Sequence, residues 1–179
     1  MKSFKKIFIG LFLFVAALVL VTGCEPKREA LKFDGEEGSL TFNVKASEGY
    51  KLSTDEKDFR NSREQGMLIG KDFKISIEFD DTFGYFFDGD FNKLKEKRKD
   101  SYKDDQYKEV EYSGLKGFQY FYGGYNSYTI YLPIEGDKDH VLVLSVYGKE
   151  DKEAAAKEAI ENEEVQDVLN HITDIAGKK

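Results

Sequence analysis

The strongest constraint on the fold of this chain lies between Tyr107 and Tyr147. Four runs there, Tyr107–Tyr112, Leu115–Tyr122, Tyr125–Leu132 and His140–Tyr147, are rich in the aromatic and β-branched residues that strands favour. Gly123-Gly124 and Glu135-Gly136-Asp137 supply turns between the last three. A parallel pair of strands needs a crossover of a dozen or more residues. The connections here are far shorter, so the four strands must meander antiparallel. The last run, His140–Tyr147, is apolar on both faces, which predicts a central strand covered on both sides.

The rest of the pattern is consistent with that sheet. Leu40, Phe42 and Val44 alternate with Thr41 and Asn43, and Phe73, Ile75, Ile77 and Phe79 alternate with Lys74, Ser76 and Glu78, each the mark of a half-buried strand. Met67 to Gly70 is a short apolar piece placed to pair with the strand after it. Asp80 to Asp90 reads as a turn, and Asp88 or Asp90 can cap a helix running to about Lys99 with Phe91, Leu94 and Tyr102 on its apolar stripe. Beyond Gly148 the period becomes helical. Ala154, Ala155, Ala156, Ala159 and Ile160 form one segment; Asn162 then caps a second, whose stripe of Val165, Val168, Leu169, Ile172 and Ile175 should lie on the sheet until Gly177 ends it. The expected class is α+β: a largely antiparallel sheet of about six strands flanked by helices, with the C-terminal helix packed on it, in a single domain over residues 39–179. With 40% hydrophobic and 15% aromatic residues, such a domain can build a real core although 34% of the chain is charged.

The N-terminus follows different rules. Lys2, Lys5 and Lys6 precede an uncharged apolar run from Ile7 to Val21, the n-region and h-region of a secretory signal peptide. The run is short for a membrane span, which needs about 20 apolar residues. Small residues follow at Thr22 and Gly23, and then comes Cys24, the one cysteine of the chain. Val21-Thr22-Gly23-Cys24 resembles the lipobox of bacterial lipoproteins. The resemblance implies cleavage between Gly23 and Cys24, a diacylglycerol on the Cys24 thiol, and a location on the outer face of the bacterial cytoplasmic membrane with the lipid bilayer as a partner. Each buried acyl CH₂ contributes about 0.8 kcal/mol, so two chains anchor where one binds only marginally. Residues 1–23 are therefore expected to be a lipoprotein signal peptide and residues 24–38 a lipidated cysteine with a flexible tether, because Glu25 to Gly38 is dominated by charges, Pro26 and two glycines. Leu31 and Phe33 alternate within it, which would let an edge strand begin earlier.

Over residues 39 to 175 the step Leu115-Lys116-Gly117, the strand pair through Tyr131 and Val143, and the closing run Asn162 to Ile172 resemble the PsbP-like group of small bacterial lipoproteins. That resemblance implies one antiparallel sheet flanked by helices, in a group many of whose members carry no assigned activity.

Function classes narrow by elimination. The chain carries a net charge of −7, and loss of the three leader lysines makes the remainder more negative. Nucleic acid is not an expected partner of such a surface. A lone cysteine excludes an intrachain disulfide and a multi-cysteine metal site. No nucleophile motif of the G-x-S-x-G kind occurs, Tyr112-Ser113-Gly114 lacking the leading glycine. His140 is expected to be solvated beside a turn and His171 to be a packing residue on the last helix; neither sits in H-E-x-x-H spacing. Asp88-Gly89-Asp90-Phe91-Asn92 imitates the start of a calcium loop, but Lys93 and Lys99 occupy its sixth and twelfth positions, and helix capping explains the aspartates. The basic run Lys93 to Lys99 reads as a solvated helix face, with contact to anionic headgroups as the alternative. Thus no catalytic residue, metal ligand or cofactor is expected.

The unusual stretch is residues 118 to 132, where tyrosines crowd a predicted hairpin. Tyrosine offers a flat apolar body with a polar tip, suited to stacking on sugars or gripping a peptide. Tyr122, Tyr125 and Tyr131 are the candidate ligand-binding residues. Three readings follow: a membrane-tethered, non-catalytic interaction module for an envelope protein, capture of a small ligand or glycan by the tyrosine hairpin, and, with no constellation to support it, an enzyme of the envelope. A concave pocket flanked by Tyr122, Tyr125 and Tyr131 would favour capture, and rings packed under helices the interaction module.

Overall fold

The computed structural model describes residues 26–102 and 106–178. Its strands are β1 (Arg28–Asp34), β2 (Gly38–Lys45), β3 (Lys51–Ser53), β4 (Gly66–Ile69), β5 (Phe73–Asp80), β6 (Tyr107–Tyr112), β7 (Leu115–Tyr122), β8 (Ser127–Pro133), β9 (Val141–Gly148) and β10 (Ile172–Gly177). The helices are α1 (Thr82–Phe87), α2 (Phe91–Ser101), α3 (Glu153–Glu161) and α4 (Glu163–Leu169). The protein is α+β. Seven strands make one antiparallel sheet in the order β3-β4-β5-β9-β8-β7-β6, and three make a second in the order β1-β2-β10.

The main core lies between the two sheets. Phe33, Leu40, Phe42 and Val44 from the small sheet meet Ile75, Ile77, Phe79, Ile130, Leu132, Leu142 and Leu144 from the large one, with Ile160, Val165, Val168 and Leu169 of α3 and α4 completing it. A Cβ at Gly148 would collide with the Ala155 backbone, so the glycine lets α3 sit directly on β9. On its other face the large sheet carries a second cluster of Phe118, Tyr120, Tyr131, Val141 and Val143, joined by Phe83 of α1 and Leu94 of α2. The expectation that β9 is covered on both sides therefore holds: seven of its eight residues are buried.

Several elements differ from the sequence reading, each for a local reason. Residues 28–34, expected to belong to a flexible tether, form β1 and pair with β2 from Arg28↔Lys45 to Asp34↔Ser39. As an edge strand β1 buries one face only, so Phe33 and half-buried Leu31 are all the apolar signal it shows among its charges. The folded domain consequently starts near Arg28, not at Ser39. At the other end, α4 stops at Leu169 and residues 172–177 form β10, although Ile172 and Ile175 extend the helical stripe. Asp174 has φ +52° and the register with β2 shifts between Thr173 and Ala176. That bulge sets Ile172 and Ile175, three apart, both inward, and so imitates a helical period. Asp80 to Asp90, expected as a turn, contains the short α1, ended by Asp88 at φ +54°.

His140 is buried at 5% exposure, not solvated. Its Nδ1 lies 3.2 Å from Asp137 Oδ2 and its Nε2 3.5 Å from Glu37 Oε2. Asp137 resists the upward pull of its burial because the N–H groups of His140 and Asp139 donate to it, and its carboxyl lies below the usual range. The calcium-like segment acts as a cap: Asp90 Oδ1 accepts from the N–H groups of Asn92 and Lys93 at 2.9 and 3.3 Å, and Asp88 pairs with Lys93.

Candidate functional site

Period two places Phe118, Tyr120 and Tyr122 on one face of β7, and the registers carry that face across the sheet. Tyr120 stands opposite Thr129, which stands opposite Ser145, which stands opposite Ser76. The next row toward the C-terminal end of β5 is Phe118, Tyr131, Val143 and Glu78; the row on the other side is Tyr122, Ser127, Tyr147 and Lys74. The result is an aromatic and hydroxyl-lined floor. Thr129 Oγ1 and Ser145 Oγ lie 3.3 Å apart across it.

Two walls rise from this floor. One is the C-terminal half of α2, docked by Leu94 and by Phe91, whose ring packs tilted against Phe118 at 5.6 Å. Tyr102 lies on the ring of Tyr120 at 3.9 Å, and Arg98 donates from Nη2 to the Tyr131 hydroxyl at 3.2 Å with its guanidinium carbon 5.4 Å from that ring's centre. The second wall is the loop entering β4. Glu64, 5% exposed, holds it in place: its carboxylate accepts from the Arg60 N–H at 2.6 Å, the Asn61 side chain at 3.1 Å and the Tyr147 hydroxyl at 2.6 Å. Arg60 covers the Tyr147 ring at 4.5 Å and pairs with Asp151, which also accepts from Asn126. Asn61, Ser62 and Arg63 are thereby set along the rim. Tyr122 and Tyr125 close one end, edge to face at 5.4 Å, each 40% exposed.

The walls enclose an open cleft of about 360 Å³ whose lining also includes Glu78, Tyr131 and Ser145. Ligand sites start near 300 Å³. A depression of similar volume, about 370 Å³, lies beside α3 and is lined by Asp72, Lys149, Ala154, Ala155 and Glu158. That depression has no ring besides Phe73, whereas rings, hydroxyls and opposite charges converge in the cleft. All three tyrosines named from the sequence line the cleft, Tyr122 and Tyr125 at the rim and Tyr131 almost buried in the floor. Gly23 and Cys24 lie outside the described residues.

Sequence reasoning missed Arg98, Glu78, Tyr102 and Tyr147 as cleft residues. Arg98 was legible in part, since it stands four residues after Leu94 and four before Tyr102 on the stripe that α2 turns to the sheet. Glu78 sits on the polar face of β5, which alternation predicts to face solvent, yet its side chain is 17% exposed. Burial is the main cause that pushes the Glu78 carboxyl up to about 7, with the Asp80 charge adding and Arg63, 3.9 Å away, opposing. Burial likewise raises the hydroxyls of Tyr102, Tyr120 and Tyr131.

The Glu78 environment has a measurable consequence. Below the ordinary carboxyl value of 4.5 the group is protonated in both folded and unfolded chains. Between there and about 7 the unfolded chain alone ionises, so stability falls as pH rises through that window and is flat above it. Glu78→Gln is therefore expected to match wild type near pH 4 and to exceed it at pH 8 by up to about 3 kcal/mol. Urea unfolding at the two pH values measures both; equal stability of the pair at pH 8 contradicts the argument.

The cleft thus offers stacking faces, hydroxyls, two guanidiniums and one carboxyl, a set suited to binding. Among the described residues no group of three or more His, Cys, Asp or Glu converges as a metal ligand set, and no described helix is long and apolar enough to cross a membrane. No family model, curated protein or solved structure matches the chain.

Proposed function

We propose that the protein is a lipoprotein held by acylated Cys24 on the outer face of a bacterial cytoplasmic membrane, where its domain captures a small ligand or glycan as a non-catalytic binding module. The observation that carries the reading is the convergence of Tyr122, Tyr125 and Tyr131 on one open cleft. Rings packed entirely under helices would have favoured a protein-interaction module; here two of the three face the open space. The short connection from Cys24 to β1 suits the same role. If residues 25–27 are fully extended, the anchor lies roughly 14 Å or less from the first strand, so the cleft samples a thin layer above the bilayer and its effective concentration toward envelope ligands is high. The resemblances to the lipobox and to the PsbP-like lipoproteins belong to this proposal.

The test uses the lipidated chain purified in detergent, with incorporation of a labelled fatty acid as the check on the anchor; Cys24→Ala is expected to lose the label. The chain has no tryptophan, and six of its eleven tyrosines line the cleft, so a ligand bound there changes a large part of the tyrosine emission. A panel of neutral and acidic disaccharides is titrated, and at least one is expected to change that emission saturably. Replacing both rim rings, Tyr122→Ala with Tyr125→Ala, should weaken its binding about thirtyfold, as loss of each aromatic contact costs about 1 kcal/mol and 1.4 kcal/mol is tenfold. Binding of none of the panel, or binding indifferent to the rim, overturns capture in the cleft.

A further inference from the structure

The charge balance inside the cleft is opposite to that of the molecule. The chain as a whole is acidic, at −7. The cleft lining nevertheless carries two guanidiniums, Arg63 and Arg98, against the single carboxyl of Glu78. Glu78 is mostly buried and faces Arg63, with Asp80, Glu64 and Arg98 as the other charged groups that bear on it. Of those neighbours, Glu64 and Asp80 are already engaged by hydrogen bonds, Glu64 to Tyr147, Asn61 and the Arg60 N–H, and Asp80 to Thr82. Those partners are neutral, so Glu64 and Asp80 keep their charge, but neither lines the cleft, and among the lining groups the balance is one positive charge.

Two observations say what that charge is for. A tyrosine cleft with a carboxyl could in principle cage a cationic ligand, since ring faces attract cations. Here the protein has already placed its own cations on the two floor rings, Arg98 over Tyr131 and Arg60 over Tyr147, so a ligand cation would find those two faces occupied and the guanidiniums repulsive. Second, Arg98 is incompletely satisfied. Its Nη2 donates to Tyr131, but its Nε is shut off from solvent with no acceptor. A donor closed to solvent is closed to a ligand as well, so a carboxylate would meet Arg98 at its Nη edge, where two N–H groups match its two oxygens better than any neutral acceptor does.

Resting on the capture reading, we infer that the ligand is a short acidic saccharide, its carboxylate held by Arg98 with Arg63 at the rim and its ring stacked on Tyr122 and Tyr125. The two rim rings meet at 60° and are each 40% exposed, an open platform for a pyranose face. The volume of about 360 Å³ suits one or two sugar units.

The experiment compares matched disaccharides that differ only in the acid group: α-1,4-digalacturonate against α-1,4-galactobiose, and a glucuronate-containing disaccharide against its glucose counterpart. Each is titrated into the lipidated chain in detergent at low salt. The acid of a pair is expected to bind at least tenfold tighter than its neutral partner. Arg98→Gln should bring the two within about twofold, and Arg63→Gln, at a side chain 67% exposed, should narrow the gap while the domain stays folded. That second variant keeps the test decisive if Arg98→Gln unfolds. Equal or tighter binding of the neutral sugars overturns the acidic class while leaving capture standing. Absence of binding by every sugar overturns both. A preference for acids that survives both substitutions overturns the assignment to these guanidiniums.

Discussion

A chain cut to begin at Ser39 is expected to lose its cooperative thermal unfolding transition, while one beginning at Glu25 keeps it. The cut removes β1 and with it Phe33, which is fully buried and stacks on Phe79 at 6.2 Å with the rings 9° apart. Truncating such a ring costs about 3 to 5 kcal/mol, a large share of the roughly 5 to 15 kcal/mol by which a domain is stable. The cut also strips the pairing of seven residues from β2 and the paired Arg28–Asp167 contact, 2.7 Å, that ties β1 to α4. It leaves Leu40, Phe42 and Val44 on a newly made edge, an invitation to pair with another chain. Circular dichroism melts of the two chains, read with binding of a hydrophobic dye, check the expectation. A melt of the shorter chain within a few degrees of the longer one would show that β1 is dispensable.

Phe118→Ala is expected to destabilise the domain by about 3 to 5 kcal/mol and to dismantle the cleft. Phe118 is fully buried on the outer face of the large sheet, among Phe91, Tyr107, Tyr120 and Tyr131 at ring separations of 5.0 to 6.5 Å. It is the surface on which α2 sits, and α2 carries Arg98 and Tyr102. A cavity there should loosen the helix before the main core, which lies across the sheet. Urea unfolding gives the stability loss, and amide exchange should show α2 opening more readily than β5 or β9. A stability loss with α2 protection unchanged relative to β5 would show that the helix is held elsewhere.

Much of the architecture was legible because its causes are local. The period-two runs of β7, β8 and β9 declare their meander, and β5 its pairing with β4, through short turns, and the aspartate cap of α2 and the Asn162 cap of α4 use the side chains next to them, with Asn162 Oδ1 accepting from Glu164 N–H at 2.7 Å. The three tyrosines named for a ligand surface do line one cleft. The misreadings share a cause as well. β1 and β10 are the two outer strands of the small sheet, both laid against β2, and each shows only one apolar face in a charged or bulged segment. Their strand character comes from pairing with β2, which carries Leu40, Phe42 and Val44; it adjoins β1 through residues 35–37 but lies far from β10 in the chain. The turn before His140 predicts a solvated side chain, whereas Glu37 from the β1–β2 connection comes to cover it.

The one-dimensional chain, then, determined the identity of most elements, the antiparallel sense of the large sheet and the residue types available for binding, since those depend on side-chain alternation and turn chemistry within a few residues. Tertiary structure alone decided that Arg98, carried on a helix, would lie over Tyr131 of a strand, that Glu78 would be shut in rather than solvated, and that the loop at Asn61 would stand across from α2. Burial of a sheet's second face depends on elements distant in sequence, and the free energy of packing them is not written in the period of either one.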